Sequence, residues 1–278
     1  MSMHAIESIT KNLVFIDGVW TSKNAHTIHY PGKRREILFL TEERSFWFRH
    51  RNRCILSILE QFQPQGLFID LGSGNGFVSR AIEQSGFDLE VISVEPGLEG
   101  CLNAQKRGLN NITCGTIEDL SFDKIKVDAI GVFDVIEYIQ DENSFFERVH
   151  YALKNDGKLF ISVPAYQWLW SHHDELTGHF RRYTVQNLQR SLECNGFQLI
   201  YESYFFSFLV LPIFFFRRLP YLLGAQQFKI DKKSDEGYHL AGTFLRPLAD
   251  FCSRVEYGRL MKSRIGFGTS ILAVATKR

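Results

Sequence analysis

The stretch Leu67-Phe68-Ile69-Asp70-Leu71-Gly72-Ser73-Gly74-Asn75-Gly76-Phe77 decides how the whole chain is read. A short apolar run delivers an acid into three glycines separated by single residues, and the spacing predicts an amphipathic helix over Phe77–Gln84. Glycines let the backbone turn tightly and approach a ligand closely, while the start of the helix attracts a negative group. A nucleotide-like ligand is implied. The dinucleotide fingerprint requires a small residue three positions after the second glycine, and Phe77 stands there instead. A nicotinamide-dependent oxidoreductase is disfavoured on that ground.

Working outward, residues 66–163 alternate apolar runs with longer amphipathic stretches. Strands are expected near Leu67–Asp70, Leu89–Glu95, Ile112–Cys114, Ala129–Phe133 and Lys158–Val163, with helices over Phe77–Gln84, Gly97–Arg107 and Asn143–Leu153. Asn155-Asp156-Gly157 reads as the turn before the fifth strand. Tyr183–Cys194 reads as a helix with Thr184 as its N-cap, Phe197–Phe206 as a sixth strand and Thr269–Thr276 as the last. The expected fold class is α/β, a Rossmann-like seven-stranded sheet with helices on both faces. Residues 1–65 form a lead-in with a hairpin at Asp17-Gly18 and a cap helix near Phe46–Gln61. Residues 66–206 form the core, 207–268 an apolar helical insertion, and 269–278 the final strand.

Composition narrows the function classes. The chain has 278 residues, a formal charge of +1, 45% hydrophobic and 23% charged residues, so no global field draws it to nucleic acid. Twenty-five Phe residues exceed what a core of this size usually needs, which points some of them at a ligand or at lipid. The five cysteines are scattered without metal-knuckle spacing, fitting a reducing compartment, and Met1–Asn12 lacks the apolar centre of a signal peptide. A cytoplasmic location is expected.

The DxGxGxG spacing of Asp70, Gly72, Gly74 and Gly76 resembles motif I of class I methyltransferases, a loop that cradles the amino acid end of S-adenosylmethionine. Glu95 closes the next apolar strand nineteen residues after Gly76, followed by Pro96, where an acid can accept both ribose hydroxyl hydrogens. The resemblance continues at Gly115-Thr116-Ile117-Glu118-Asp119, the family's adenine-contact position. Thr116 replaces a frequent Asp there, so the adenine amino group would pass to Glu118 or Asp119. Phe133-Asp134-Val135-Ile136-Glu137-Tyr138 looks like the DVLEH segment closing the fourth strand, with Tyr138 in place of a common His. The implied cofactor set is therefore Asp70, Gly72, Ser73, Gly74, Gly76, Glu95, Pro96, Thr116, Ile117, Glu118, Phe133 and Asp134.

The run Pro164–Tyr183 follows the fifth strand and crowds aromatics, three histidines, two acids and two arginines at the predicted active rim. It is similar to the HDE…GH.RRYT signature of a bacterial subgroup of the type 11 and type 12 methyltransferases. His179 is the first candidate for a base or substrate contact, because imidazole titrates near neutral pH, with His172, His173 and Asp174 as partners. The bland alternative is a structural loop in which Asp174 pairs with Arg181 or Arg182. A divalent ion on His172, Asp174 and His179 suits the ligand types, but the spacing dictates no geometry and no metal is expected. Upstream, Phe46-Trp47-Phe48-Arg49 resembles the sFWFR helix of the same subgroup, which implies that Arg49 meets the cofactor carboxylate.

The apolar run Tyr204–Phe216 and the adjoining Arg217-Arg218-Leu219-Pro220-Tyr221-Leu222-Leu223 admit three readings: a buried helix, a lid over an apolar substrate, or a peripheral membrane contact through 204–223. Pro212 is expected to end the strand or to kink the segment after it. The leading function is transfer of a methyl group to a small, partly apolar or lipid- or saccharide-linked acceptor, on oxygen. A regulatory or scaffold protein that binds the cofactor without catalysis is the alternative. The oligomeric state is not readable from the chain.

Overall fold

The computed structural model describes residues 3–22, 32–224 and 246–278. The strands are β1 (Val14–Ile16), β2 (Val19–Thr21), β3 (Gly66–Leu71), β4 (Leu89–Glu95), β5 (Ile112–Cys114), β6 (Val127–Phe133), β7 (Leu153–Pro164), β8 (Phe197–Phe205) and β9 (Ser270–Lys277). The helices are α1 (Met3–Ile9), α2 (Gly32–Thr41), α3 (Phe46–Phe62), α4 (Phe77–Gln84), α5 (Leu98–Lys106), α6 (Glu142–Ala152), α7 (His172–Thr177), α8 (Val185–Cys194), α9 (Val210–Ile213), α10 (Leu219–Leu222) and α11 (Arg246–Leu260).

Among the described residues one sheet runs in the order β1-β2-β5-β4-β3-β6-β7-β9-β8. It has nine strands where seven were expected, because the hairpin turning at Asp17 and Gly18 docks on the edge instead of standing apart. β2 pairs in parallel with β5 through Trp20 and Thr113. The other seven keep the doubly wound order, and their topological switch falls between β3 and β6, whose carboxyl ends open the crevice where such sheets bind ligands. β9 enters antiparallel between β7 and β8. The central strands are apolar on both faces because helices cover both, and Phe68, Ile69, Ile130, Val132, Phe160 and Ile161 are fully buried.

Helix ends follow local chemistry. Thr184 caps α8 by accepting from Asn187 N at 3.2 Å, and Asp141 caps α6 by accepting from Ser144 N at 3.1 Å. Asn155-Asp156-Gly157 is no free turn: it is absorbed at the start of β7 as a register shift against β6, with Asp156 at φ 61°.

The apolar run from Tyr204 is split. Tyr204 and Phe205 complete β8, the chain reverses at Phe206 with φ 57°, and helix resumes only at Val210. The strand thus ends well before Pro212, which lies inside α9. The five-residue π turn Phe214–Arg218 comes next and leads into α10, the kind of irregularity that a missing proline N–H promotes. Of the insertion, residues 225–245 lie outside the described residues, as do residues 1, 2 and 23–31 of the lead-in. Among the described residues no helix is long and apolar enough to cross a membrane.

Candidate functional site

Gly72, Gly74 and Gly76 all take positive φ (72°, 59° and 74°), the region that glycine alone enters without strain. Each answers to a different neighbour. A Cβ on Gly72 would stand 2.4 Å from Val135, and one on Gly76 would stand 2.6 Å from Leu109 and 2.8 Å from Ala104. One on Gly74 would meet nothing within 4 Å. The first and third glycines are therefore needed for packing, and the middle one presents bare backbone to open space.

That space is a cavity of about 250 Å³ lined by Asp70, Gly72, Ser73, Gly74, Phe133 and Asp134 together with Trp47, Phe48 and Arg51 of α3. Asp70 is buried at the end of β3 and accepts from Ser79 Oγ at 2.6 Å; burial raises its carboxyl to about 6 against the help of that bond and of Arg51. Ser73 Oγ is buried in the cavity wall without a hydrogen-bond partner. Arg51 donates to Asp134 and, at 2.8 Å, to Phe133 O, so the guanidinium is clamped at the end of β6 while facing the cavity. The lead-in roofs the loop: Arg107 joins Glu42 at 2.7 Å, Glu43 at 2.9 Å, Phe39 O at 3.1 Å and Asn75 O at 3.0 Å.

The expected cofactor fits this part of the site on three counts: a glycine whose backbone is open to a ligand, an unpaired buried hydroxyl beside it, and a fixed guanidinium to meet a carboxylate. The remaining sequence candidates do not line this cavity. Glu95 sits behind the loop, its two oxygens accepting from Gly74 N at 3.0 Å and Gly97 N at 2.8 Å, so the expected ribose acid already braces the glycine turn. Pro96 accepts from Cys114 Sγ at 3.8 Å. Thr116 forms a reciprocal cap with Asp119, which also receives Ser22 Oγ at 2.7 Å. Ile117 is buried in the core, and Glu118 is exposed.

A second cavity, about 650 Å³, adjoins the first, and both are walled by Trp47, Asp134, Tyr138 and His173. Its polar wall comes from the rim after β7. Asp174, wholly buried, receives Arg182 Nε at 2.7 Å and Nη2 at 3.1 Å, Ser171 N at 2.9 Å and His179 Nδ1 at 3.1 Å. Burial opposes its ionisation, but the His179 and Arg182 hydrogen bonds prevail and hold its carboxyl well below the usual range. An ionised Asp174 makes Nδ1 the donor, so the position of the ring open to accept a proton is Nε2. The imidazole also packs edge-on against Tyr138 at 4.6 Å.

The structure thus unites two of the sequence alternatives: Asp174 pairs with Arg182 and orients His179 at once. His173 lines both cavities, but His172 turns away to Glu175 at 3.2 Å and packs on Tyr221 at 4.6 Å. Among the described residues no cluster of three or more His, Cys, Asp or Glu is arranged to hold a metal.

Two residues of the site escaped the sequence reading. Arg51, not Arg49, faces the glycine-loop cavity; Arg49 donates to Asp250 at 2.8 Å. The signal was present, since Arg51 shares a helical face with Cys54, Ile55 and Ile58 of the core and Arg49 does not. Glu137 lines the larger cavity, is fully buried, and has Oε2 without a partner. Burial first, then Asp134 beside it, pushes its carboxyl well above the usual range.

A family model described as "Methyltransferase domain" matches residues 40–202. No curated protein sequence matches the chain. Among solved structures, a chain from the complex with the Haloferax volcanii Trm112 methyltransferase activator superposes with a TM-score of 0.55 at 16% identity, covering 89% of this chain and 94% of that one. A possible histamine N-methyltransferase from Thermotoga maritima gives 0.53 at 15% identity over 88% and 95%. Phosphoethanolamine N-methyltransferase 2 from Haemonchus contortus, in complex with S-adenosyl-L-methionine, gives 0.52 at 19% identity over 80% of this chain and 52% of its own length. At these identities the likeness is one of fold.

Proposed function

The chain belongs to the methyltransferase-domain family, and from that premise we propose that it transfers a methyl group to an oxygen atom of a small acceptor with an apolar portion. The methyl donor is S-adenosylmethionine, which supplies an electrophilic methyl on a sulfonium centre when bound. The observation that carries the acceptor reading is the junction of the two cavities. Trp47, Asp134, Tyr138 and His173 wall both, and the larger one is otherwise lined chiefly by apolar side chains, among them Phe208, Leu209, Ile213 and Phe216.

The roles of the residues follow from their positions. Gly72, Ser73 and Gly74 with Arg51 hold the amino acid end of the donor, and Trp47 and Phe48 exclude water from it. Aromatic and aliphatic walls hold the apolar part of the acceptor. His179 receives the proton of an acceptor hydroxyl at Nε2, and Asp174 keeps the ring in the tautomer that can do so while stabilising the charge that forms. Glu137, whose burial favours the neutral carboxyl and whose Oε2 is unpaired, meets a second oxygen of the acceptor. Much of the acceleration comes from holding two reactants in line in a dry site, so the base adds to positioning and does not replace it.

The test is incubation of the protein with methyl-labelled S-adenosylmethionine and lipid-extractable and water-soluble fractions of cell extract. Label is expected in methyl ethers of the extractable fraction, with His179→Ala lowering the rate about a hundredfold and leaving donor binding unchanged. Donor binding by calorimetry without transfer to any fraction would favour the scaffold reading. Label found only on nitrogen would overturn the choice of oxygen.

A further inference from the structure

Helix α11 is inside out. Its inward face carries Ser253, Glu256 and Leu260, and its outward face carries Leu248, Phe251 and Val255 at i, i+3 and i+7, each 57% exposed or more. The buried Glu256 is a fastener. It receives Phe206 N and Ser207 N at 2.6 Å each and lies 2.7 Å from His50 Nε2, and so pins the reversal at Phe206 to α3. The polar interior of this helix is thereby explained, but its apolar exterior is not.

The α9–α10 segment shows the same inversion. Leu211, Phe215 and Phe216 are 67%, 54% and 82% exposed. Single exposed apolar residues are common, but this group is gathered around one opening: Phe216 and Leu248, one from each segment, line the 650 Å³ cavity. Among the described residues the charges that these two segments present are mainly basic. Arg217 and Arg218 are the only charged residues from 204 to 224. In α11 Glu256 is committed inward to His50 and the partly exposed Asp250 is paired with Arg49 and Arg246, while Arg254 and Arg259 are exposed.

We propose that this face docks on the surface of an anionic lipid bilayer, with Phe215, Phe216, Leu248, Phe251 and Val255 entering the headgroup boundary and the arginines meeting lipid phosphates. An apolar patch flanked by arginines, whose neighbouring described acids Asp250 and Glu175 are already paired with Arg49 and with His172 and Tyr221, is complementary to such a surface. A second copy of the chain is a poorer occupant, because it would bring arginines against arginines. The docking rests on the surface alone. Its consequence, that the acceptor enters the larger cavity from the membrane without crossing water, rests on the methyltransferase reading.

The experiment is flotation of the full chain with vesicles of phosphatidylcholine, alone or mixed with phosphatidylglycerol, at low and high salt. The wild-type protein is expected to float with the mixed vesicles and to do so less at high salt. The double variant Phe215→Glu/Phe251→Glu should partition about tenfold more weakly, or less still, while binding S-adenosylmethionine as the wild type does by calorimetry. Arg254→Glu/Arg259→Glu should abolish the salt-sensitive part. The proposal is overturned if the wild type floats with neither vesicle, if the Phe double variant floats equally well, or if sedimentation shows a dimer that this variant converts to monomer. Flotation by a protein that binds no S-adenosylmethionine would sink the methyltransferase reading and leave the docking standing.

Discussion

The glycine-loop cavity and the larger cavity beside it meet at Trp47, Asp134, Tyr138 and His173, yet they are built on different plans. The smaller one is built on the glycine-loop backbone at the carboxyl ends of β3 and β6, with side chains of α2 and α3 closing over it and Arg51 pinned to Phe133 O. The larger is framed by side chains from α3, the rim after β7, the α9–α10 segment, α11 and the start of β9. A site made of backbone recognises one ligand and tolerates little change, whereas a site made of side chains on added segments can be reshaped without disturbing the sheet. The donor end of the reaction is therefore carried by the fold, and the acceptor end by what has been attached to it.

This contrast can be broken first at the loop. Gly76→Val forces a Cβ into Leu109 and Ala104 at positive φ, and it should abolish donor binding and cost about 3 kcal/mol of stability in urea titrations. Gly74→Ala, where a Cβ meets no protein atom, should cost only about 1 kcal/mol and still lose most of the binding. Equal losses of stability in both variants would deny that Gly74 faces a ligand.

On the acceptor side, Asp174→Ala leaves Arg182 buried without its partner and should cost about 3–5 kcal/mol. Because the folded pKa of Asp174 is depressed, its contribution is present above its ordinary value of 3.8 and is lost as pH falls below that; the difference from wild type should shrink in acid. Chemical denaturation at pH 7 and at pH 3 checks both statements.

Asp70 behaves in the opposite sense. Its folded pKa is raised to about 6, so ionisation penalises the native state progressively from its ordinary 3.8 upward, fully above 6. Asp70→Asn, which can still accept from Ser79, should gain on the wild type by about 3 kcal/mol between pH 4 and pH 7. The smallest effect separates two neighbours on α3: Arg51→Gln should weaken donor binding about tenfold, and Arg49→Gln should leave it within about twofold. Equal effects would move the carboxylate contact off the observed geometry.

Much of the core was legible because its signals are local. The strand, glycine loop and helix from Leu67 to Gln84 appear where the spacing predicts them, and so do β4, β5 and the Thr184 cap. Errors came where two distant segments compete for one side chain. The resemblance points to Arg49, and only the packing of α3 against the end of β6 and α11 assigns Arg51 to Asp134 and Arg49 to Asp250. Glu137 stands in the sequence only as part of the segment closing the fourth strand, until the rim closes over it and leaves Oε2 unpaired. The hairpin at Asp17 was visible, but its docking on β5 was not, since strand pairing across about ninety residues carries no local mark.

The sequence by itself determined the nucleotide-type loop and, through it, the α/β order and the donor, because backbone conformation at glycines and the period of apolar residues depend on near neighbours. Only the tertiary structure decided which charges meet and which apolar faces remain outside. Burial and ion pairing are properties of surfaces brought together from distant parts of the chain, and at α11 they turned an ordinary amphipathic pattern outward, Glu256 in the core and Phe251 in the open.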